Sequence, residues 1–335
     1  MTAALPERAT VVRLTAPRRL ELQDEPLRAP AAGELLCETL VSVISPGTEL
    51  AAYTGLPPLR DGPVYPRLQG YCNVARVLAC GDATGAFEVG QRVLTFQSHR
   101  SHFVTPADDV LLTLPEGVDS DAAATTYLFH LGYNAVLRGG VRAGSRVLVI
   151  GIGALGSTAV ALAALAGAEV RAVTDHAAAA ARALRMGARQ AVSRRDAASP
   201  CAAWADVIIA TTNAWSDWSL ALASAAQRGT IAVLGFPGRG EPASAANPLD
   251  PRYFYMRQLR IEAVGFSPER PDGRGFARFN ERSNLGFLLG EIARGRLPAA
   301  ELLSGRHPGT QIERAYAELL KRTGNPVTYA LQWTH

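Results

Sequence analysis

From Thr10 to about Pro115 short apolar runs alternate with Gly and Pro punctuation: VVRL, GELLCETLVSVI, NVARVLAC, QRVLTF, HFVTP and DVLLTL. That rhythm predicts short β-strands joined by tight turns. The pattern changes near Ser120. DAAATTYLFHLGYNAVLRGG is helical in length and period, and it leads into SRVLVI, a continuously apolar strand. As far as Phe266, helix-length segments (STAVALAALAG, AAAAARALRMGA, DWSLALASAAQRG) then alternate with apolar strands (AEVRAVTD, ADVIIATT, TIAVLGF, LRIEAVGF). Buried strands separated by helices predict βαβ units and a parallel sheet. After Arg278, NLGFLLGEIARGRL and QIERAYAELLKRT read as helices and PVTYALQW as a last strand. The expected fold class is α/β: a β-rich domain over residues 1–125 and 268–335, and a doubly wound parallel-sheet domain over 126–267.

Composition narrows the chemistry. The 335 residues are 48% hydrophobic and 19% charged, enough to bury a sizeable core in two domains of roughly 150 residues each. Net charge is +4 with no basic block, so no nucleic-acid partner is expected. Lys321 is the single lysine, which argues against Schiff-base chemistry, a P-loop and a lysine base. Cys37, Cys72, Cys80 and Cys201 form no C-x-x-C pair, so neither a four-cysteine zinc lobe nor a disulfide scaffold is expected. MTAALPERATVV has no apolar signal core, and the longest apolar stretch, Ala159–Ala168, is too short to span a bilayer. No membrane association and a cytoplasmic location are the expectations.

The strand Val147–Ile150 runs directly into Gly151-Ile152-Gly153-Ala154-Leu155-Gly156, which opens a helix, and Asp175 follows nineteen residues after Gly156. Strand, glycines, helix and acid together predict a dinucleotide site. Gly151 allows the tight turn, Gly153 leaves room for the pyrophosphate, and Gly156 lets helix and strand pack closely. The pyrophosphate is expected on the helix N-terminus, beside Ala154 and Leu155. Asp175 is placed to accept from the adenosine ribose and to repel a 2′-phosphate, which favours NAD over NADP; alternatively it only caps the next helix. Arg182 is the residue able to offset that repulsion.

With these motifs the chain resembles the medium-chain dehydrogenase/reductase family over nearly its whole length. VSVISPGTE (41–49) followed by AYTG is similar to the family's first-ligand motif, YPRLQGYC (65–72) to its P-x-x-x-G-H-E motif, and AELLKRTGNPVTYALQW to its usual ending. The resemblance implies a GroES-like catalytic domain and a Rossmann domain. The departures matter more. Where the family's zinc ligands stand, this chain has Ser45 or Pro46, Tyr71 and Tyr127, and the acid after the second ligand is Cys72. Zinc needs three ligands of the N, S or carboxylate type. No metal is therefore expected, and the structural zinc loop is absent as well. SPGTE together with FQSHRSHFVTP is most similar to the branch containing bacteriochlorophyllide a dehydrogenase.

Without zinc a protein group must handle the substrate proton. The resemblance places Tyr71 and Tyr127 toward the cleft, where a phenol can donate to a carbonyl oxygen; each can instead simply fill the metal's volume. Thr48 falls at the family's alcohol-contacting hydroxyl, or else satisfies the turn after Gly47. Glu49 replaces the acid behind the metal, or forms a buried ion pair with an arginine. His130 on the bridging helix, and His102 and His99 on the cleft wall, titrate in the useful range. Three functions are open: a zinc-independent NAD-dependent alcohol/ketone oxidoreductase acting on a small or medium metabolite, possible in specialised biosynthesis; an NADPH-dependent C=C reductase; and a non-catalytic nucleotide-binding protein. A homodimer is expected, paired through Thr230–Phe236 and Leu259–Phe266.

Overall fold

The computed structural model describes residues 5–57, 62, 64–242, 244, 247–265 and 276–334. The boundary expected at 267/268, Phe266 and His335 lie outside the described residues. In chain order the elements are β1 (Arg8–Ala16), β2 (Arg19–Pro26), β3 (Glu34–Val43), α1 (Pro46–Tyr53), β4 (Arg67–Leu68), β5 (Cys72–Cys80), β6 (Arg92–Thr95), β7 (His102–Pro106), β8 (Leu112–Thr113), α2 (Ser120–Ala124) and α3 (Thr126–Gly139). Then come β9 (Arg146–Ile150), α4 (Ala154–Leu165), β10 (Glu169–Val173), α5 (Ala177–Arg185), β11 (Gln190–Val192), α6 (Arg194–Ala197), β12 (Ala205–Ala210), α7 (Trp215–Ser224), β13 (Ala225–Val233) and β14 (Arg260–Ala263). The chain closes with α8 (Glu281–Ala293), β15 (Leu303–Pro308), α9 (Ile312–Lys321) and β16 (Thr328–Gln332).

The chain divides into two compact units, one of Met1–Tyr127, Arg282–Gly295 and Leu302–His335, the other of Leu128–Glu281 and Arg296–Glu301. The first is GroES-like and β-rich. Its larger sheet runs β15-β16-β3-β5-β6-β8 with β7 added on β3, and a smaller sheet runs β2-β1-β4. Alternation along β3, β5 and β7 sends Leu35, Cys37, Val77 and Phe103 into one core cluster. A second cluster joins Val12, Leu14 and Ile44 to Ile312, Tyr316 and Leu331 from the C-terminal segment. The second unit is a Rossmann domain with the order β11-β10-β9-β12-β13-β14, every pair parallel. Leu148, Ile150, Ile208 and Ile231 are fully buried there, each contributing about 1.5–3 kcal/mol relative to exposure. The order reverses between β9 and β12, and ligands of such sheets bind at the carboxyl ends of the strands at that point.

Local chemistry overrides the sequence pattern in several places. Residues inside SPGTELAAY form the short helix α1, with Pro46 in its first turn. The expected single helix over residues 121–140 is two helices. Thr125 and Thr126 turn their hydroxyls onto the carbonyls of Ala122 (2.7 Å) and Ala123 (2.6 Å), competing with the backbone ladder. The helix expected to reach Gly229 stops at Ser224 and β13 begins at Ala225. The Arg257 guanidinium donates to the carbonyls of Leu222, Ala223 and Ala225, taking over the last helical acceptors. Strand β13 pairs with both β12 and β14, so Thr230–Phe236 is not an edge; among the described strands β14 is.

Candidate functional site

Two groups of residues carry chemistry, one in each unit. In the Rossmann domain Gly151 has φ +88°, and a Cβ there would lie 2.3 Å from the Thr212 side chain. A Cβ on Gly156 would come within 1.8 Å of the Gly151 carbonyl oxygen. Both positions therefore require glycine. Gly153 differs, since among the described residues a Cβ there meets no atom within 4 Å. It caps α4, whose N-terminus has no side-chain cap, leaving the first N–H groups at Ala154, Leu155 and Gly156 to face an anion. Thr211 fixes the loop from below, its hydroxyl donating to the carbonyls of Ile150 (2.9 Å) and Gly151 (2.8 Å).

Strand β10 ends at Val173, so Asp175 stands two residues beyond it, with an exposed carboxylate. That carboxylate is held by Arg194, through the backbone N–H (2.8 Å) and Nη1 (2.9 Å), and the backbone bond first of all lowers its pKa. Arg182 is not the phosphate ligand that the sequence allowed. It is buried, with Nε on Ser157 Oγ (3.1 Å) and Nη2 on the Ile152 carbonyl (2.7 Å), so it braces the glycine loop from inside.

In the β-rich unit the three ligand-like positions converge. Tyr71 is half-buried, stacks on Phe96 (centroids 5.3 Å, 19°) and meets Tyr127 edge-on (5.4 Å, 72°); Phe96 and Tyr127 close the triangle at 5.0 Å. The Tyr71 hydroxyl donates to Ser45 Oγ. Burial pushes the phenol pKa up, and the hydroxyls of Ser45 and Thr48 only partly oppose this. The group is therefore a neutral donor at pH 7, suited to giving a hydrogen bond or proton to a carbonyl oxygen rather than to removing one. Thr48 is exposed one helical turn from Ser45.

Glu49 sits behind this wall, 1% exposed, and its partners are not the arginine that the sequence allowed. Oε1 accepts from the Ser45 backbone N–H (2.6 Å); Oε2 accepts from Tyr316 Oη (2.5 Å) and lies 2.9 Å from His99 Nε2. His99 Nδ1 is 2.7 Å from Ser42 Oγ, which accepts from Trp333 Nε1 at 2.9 Å. One tautomer satisfies every group: His99 donates from Nε2 to Glu49 and accepts at Nδ1 from Ser42. Gly70 exists for this ring, since a Cβ there would lie 2.7 Å from it. The network fixes Ser45, and Ser45 fixes the Tyr71 phenol.

The remaining candidates lie elsewhere. His102 opens β7, bonds Ser101 Oγ at 3.1 Å and lines a groove with Arg28 and Arg100, away from the tyrosines. Cys72 is fully buried on β5, and burial raises its thiol pKa. His130 belongs to the Rossmann unit and is buried on α3, where burial lowers its pKa to about 4. Its unfolded pKa is about 6.5, so the folded state binds fewer protons between these values. Stability is then full above pH 6.5 and falls as pH drops toward 4, by about 3 kcal/mol for a shift of this size. Denaturant titrations at pH 7 and pH 4.5 should show a smaller loss for His130→Gln than for the parent; equal losses would mean that this ring does not drive the change.

Sequence reasoning missed Phe96, Ser42, Tyr316 and Trp333, and weighed His99 only as a wall residue. Among the described residues no group of three or more His, Cys, Asp or Glu is arranged to hold a metal ion. The hydroxyls and phenols of Ser45, Tyr71 and Tyr127 do not fit a zinc-ligand set. No helix among the described residues is long and apolar enough to cross a membrane.

Comparisons with known proteins agree with this architecture. A family model described as zinc-binding dehydrogenase matches residues 154–279, a range that contains none of Ser45, Tyr71 and Tyr127. The chain is 33% identical over 183 residues to the 2-desacetyl-2-hydroxyethyl bacteriochlorophyllide A dehydrogenase of Cereibacter sphaeroides, a match covering 48% of this chain and 55% of that protein. It therefore spans little more than half the length of that relative. L-idonate 5-dehydrogenase from Escherichia coli K-12 superposes with a TM-score of 0.82 at 15% identity, covering 97% of this chain and 98% of that one. A Sinorhizobium meliloti 1021 chain described as a zinc-binding dehydrogenase, bound to NADP, gives 0.80 at 18% identity over 98% and 100%. An alcohol dehydrogenase from Escherichia coli CFT073 with NADH gives 0.79 at 17% over 98% and 100%. These solved structures share the fold.

Proposed function

We propose that the chain is a medium-chain dehydrogenase/reductase and, within that superfamily, a zinc-independent oxidoreductase using NAD(H) on an alcohol/ketone pair of a small or medium metabolite. The observation that carries this reading is the hydroxyl set at the ligand positions, with the Tyr71 phenol bonded to Ser45 against an aromatic wall. Gly151, Gly153, Ala154, Leu155, Gly156 and Asp175 hold the dinucleotide, the first five through the loop and helix N-terminus and Asp175 through the ribose. Bound there, the cofactor supplies or accepts the hydride. Tyr71 turns its single O–H from Ser45 Oγ to the substrate oxygen and gives it a proton as the ketone is reduced, and a proton returns to the phenolate from water through the Ser45 and Thr48 hydroxyls. Ser45 and Thr48 orient the phenol, and Glu49 with His99 and Tyr316 keeps Ser45 in place. Tyr127 and Phe96 exclude water from one side of the phenol. His130 stays neutral and takes no charge-bearing part.

The test is a panel of ketones and enones with NADH and with NADPH, on protein whose metal content has been measured. Ketone reduction by NADH that survives chelation is expected. Loss on chelation with recovery on adding zinc would sink zinc independence. Reduction of enones alone would move the assignment to a C=C reductase, and binding with no turnover to a non-catalytic nucleotide-binding protein. The protein acts as a homodimer paired through the β14 edge, expected by light scattering at twice the chain mass; a monomeric mass at micromolar concentration would contradict it.

A further inference from the structure

Asp175 does not stand alone at the ribose position. Arg194, the first residue of α6, is fastened on two sides. Its Nε and Nη2 donate to the two oxygens of Asp217 at 2.6 and 2.9 Å, a fork-to-fork pair. Asp217 is 3% exposed and also accepts from the Thr212 hydroxyl at 2.7 Å. The guanidinium plane is thereby fixed from beneath, and only Nη1 is left to reach outward, where it meets Asp175 at 2.9 Å. The Arg194 backbone N–H adds a second donor to the same carboxylate at 2.8 Å.

We propose that Arg194 is a latent ligand for the 2′-phosphate of NADP(H), aimed by Asp217 and neutralised by Asp175, so that nucleotide choice rests on this three-residue unit rather than on Asp175 alone. The inference builds on the dinucleotide site proposed above. With Asp175 in place, two carboxylates face one guanidinium, and the locus carries net negative charge that repels a phosphate dianion. Remove the Asp175 carboxylate, and Nη1 and the backbone N–H point at the space that a 2′-phosphate would fill. A planar guanidinium already pinned along one edge loses little freedom on binding such a group.

The test needs no substrate, because NADH and NADPH fluorescence reports binding directly. Wild type, Asp175→Ser, Arg194→Gln and Asp175→Ser/Arg194→Gln are each titrated with both nucleotides. We expect tighter NADH binding by wild type and a shift of about 100-fold toward NADPH in Asp175→Ser. Most of that shift should vanish in the double variant. Should Arg194→Gln fail to fold, adding Asp217→Asn removes the buried charge left unpaired, and the comparison proceeds in that background. An unchanged ratio in Asp175→Ser would overturn the proposal, as would a shift that survives loss of Arg194; either leaves the dinucleotide site standing. Failure of every variant to bind either nucleotide would overturn the functional reading itself, and this inference with it.

Discussion

Replacing Tyr71 by phenylalanine is expected to lower kcat/KM for ketone reduction by about 100-fold or more, while leaving NADH affinity and thermal stability nearly unchanged. The expectation follows from what the hydroxyl does and what the ring does. The ring packs between Phe96 and Tyr127, and phenylalanine keeps those contacts. The hydroxyl bonds Ser45 at a half-buried site, and Ser45 keeps its backbone bond to Glu49 without it. Losing a positioned general acid typically costs 10²–10⁴-fold, of which about 100-fold is the conservative end. The phenol pKa is raised, chiefly by burial, so the neutral donor persists above pH 7 and reduction should not fall through the neutral range. The check is steady-state kinetics on whichever ketone turns over best, with melting curves and NADH titrations as controls. Activity in Tyr71→Phe within about threefold of the parent would remove Tyr71 from the proton step and shift attention to Thr48.

The second large effect separates two glycines of one loop. Gly156→Val should abolish dinucleotide binding and cost about 3 kcal/mol of stability, because the new Cβ would fall 1.8 Å from the Gly151 carbonyl oxygen, a backbone atom that cannot rotate away. Gly153→Ala should do something different. No atom of the described residues lies within 4 Å of a Cβ there, so stability should stay within about 0.5 kcal/mol of the parent. Affinity for NADH should nonetheless fall at least about tenfold, because that open space is where the pyrophosphate must approach. Chemical denaturation and fluorescence titration on the two variants read both quantities. Unimpaired NADH binding by Gly153→Ala would mean that the pyrophosphate does not cross this loop.

The contrast also shows what can be read from residues in a row. The Rossmann half was legible because its signals are local: apolar strands, helix-length spacers, and three glycines within six positions, two of them demanded by the backbone and Gly153 by the room that a ligand needs. Asp175 was legible for the same reason, but Arg194 was not. Arg194 lies nineteen residues further on and becomes relevant only when β10 and β11 pair side by side. Around Glu49, even less could be foreseen. The family pattern supplied Tyr71, Tyr127 and Thr48 as positions, yet Glu49 takes its partners from residues 50 and 267 positions away, and nothing in FQSHRSHFVTP or QIERAYAELL announces that pairing. Histidines were weighed by their titration range, whereas burial and the surrounding donors decided where His99, His102 and His130 stand.

That distance has a consequence for the order in which the protein comes into being. The Rossmann unit is almost one continuous stretch, so its sheet can close while the chain is still being made. The β-rich unit is assembled from three separate stretches. Its sheet stays open at β3 until β16 arrives. Tyr316 and Trp333, which hold Glu49 and Ser42, are made only after the whole Rossmann stretch. The nucleotide platform can thus form before the proton-handling pocket does, and until α9 and β16 are made Glu49 and Ser42 lack the partners that fix them.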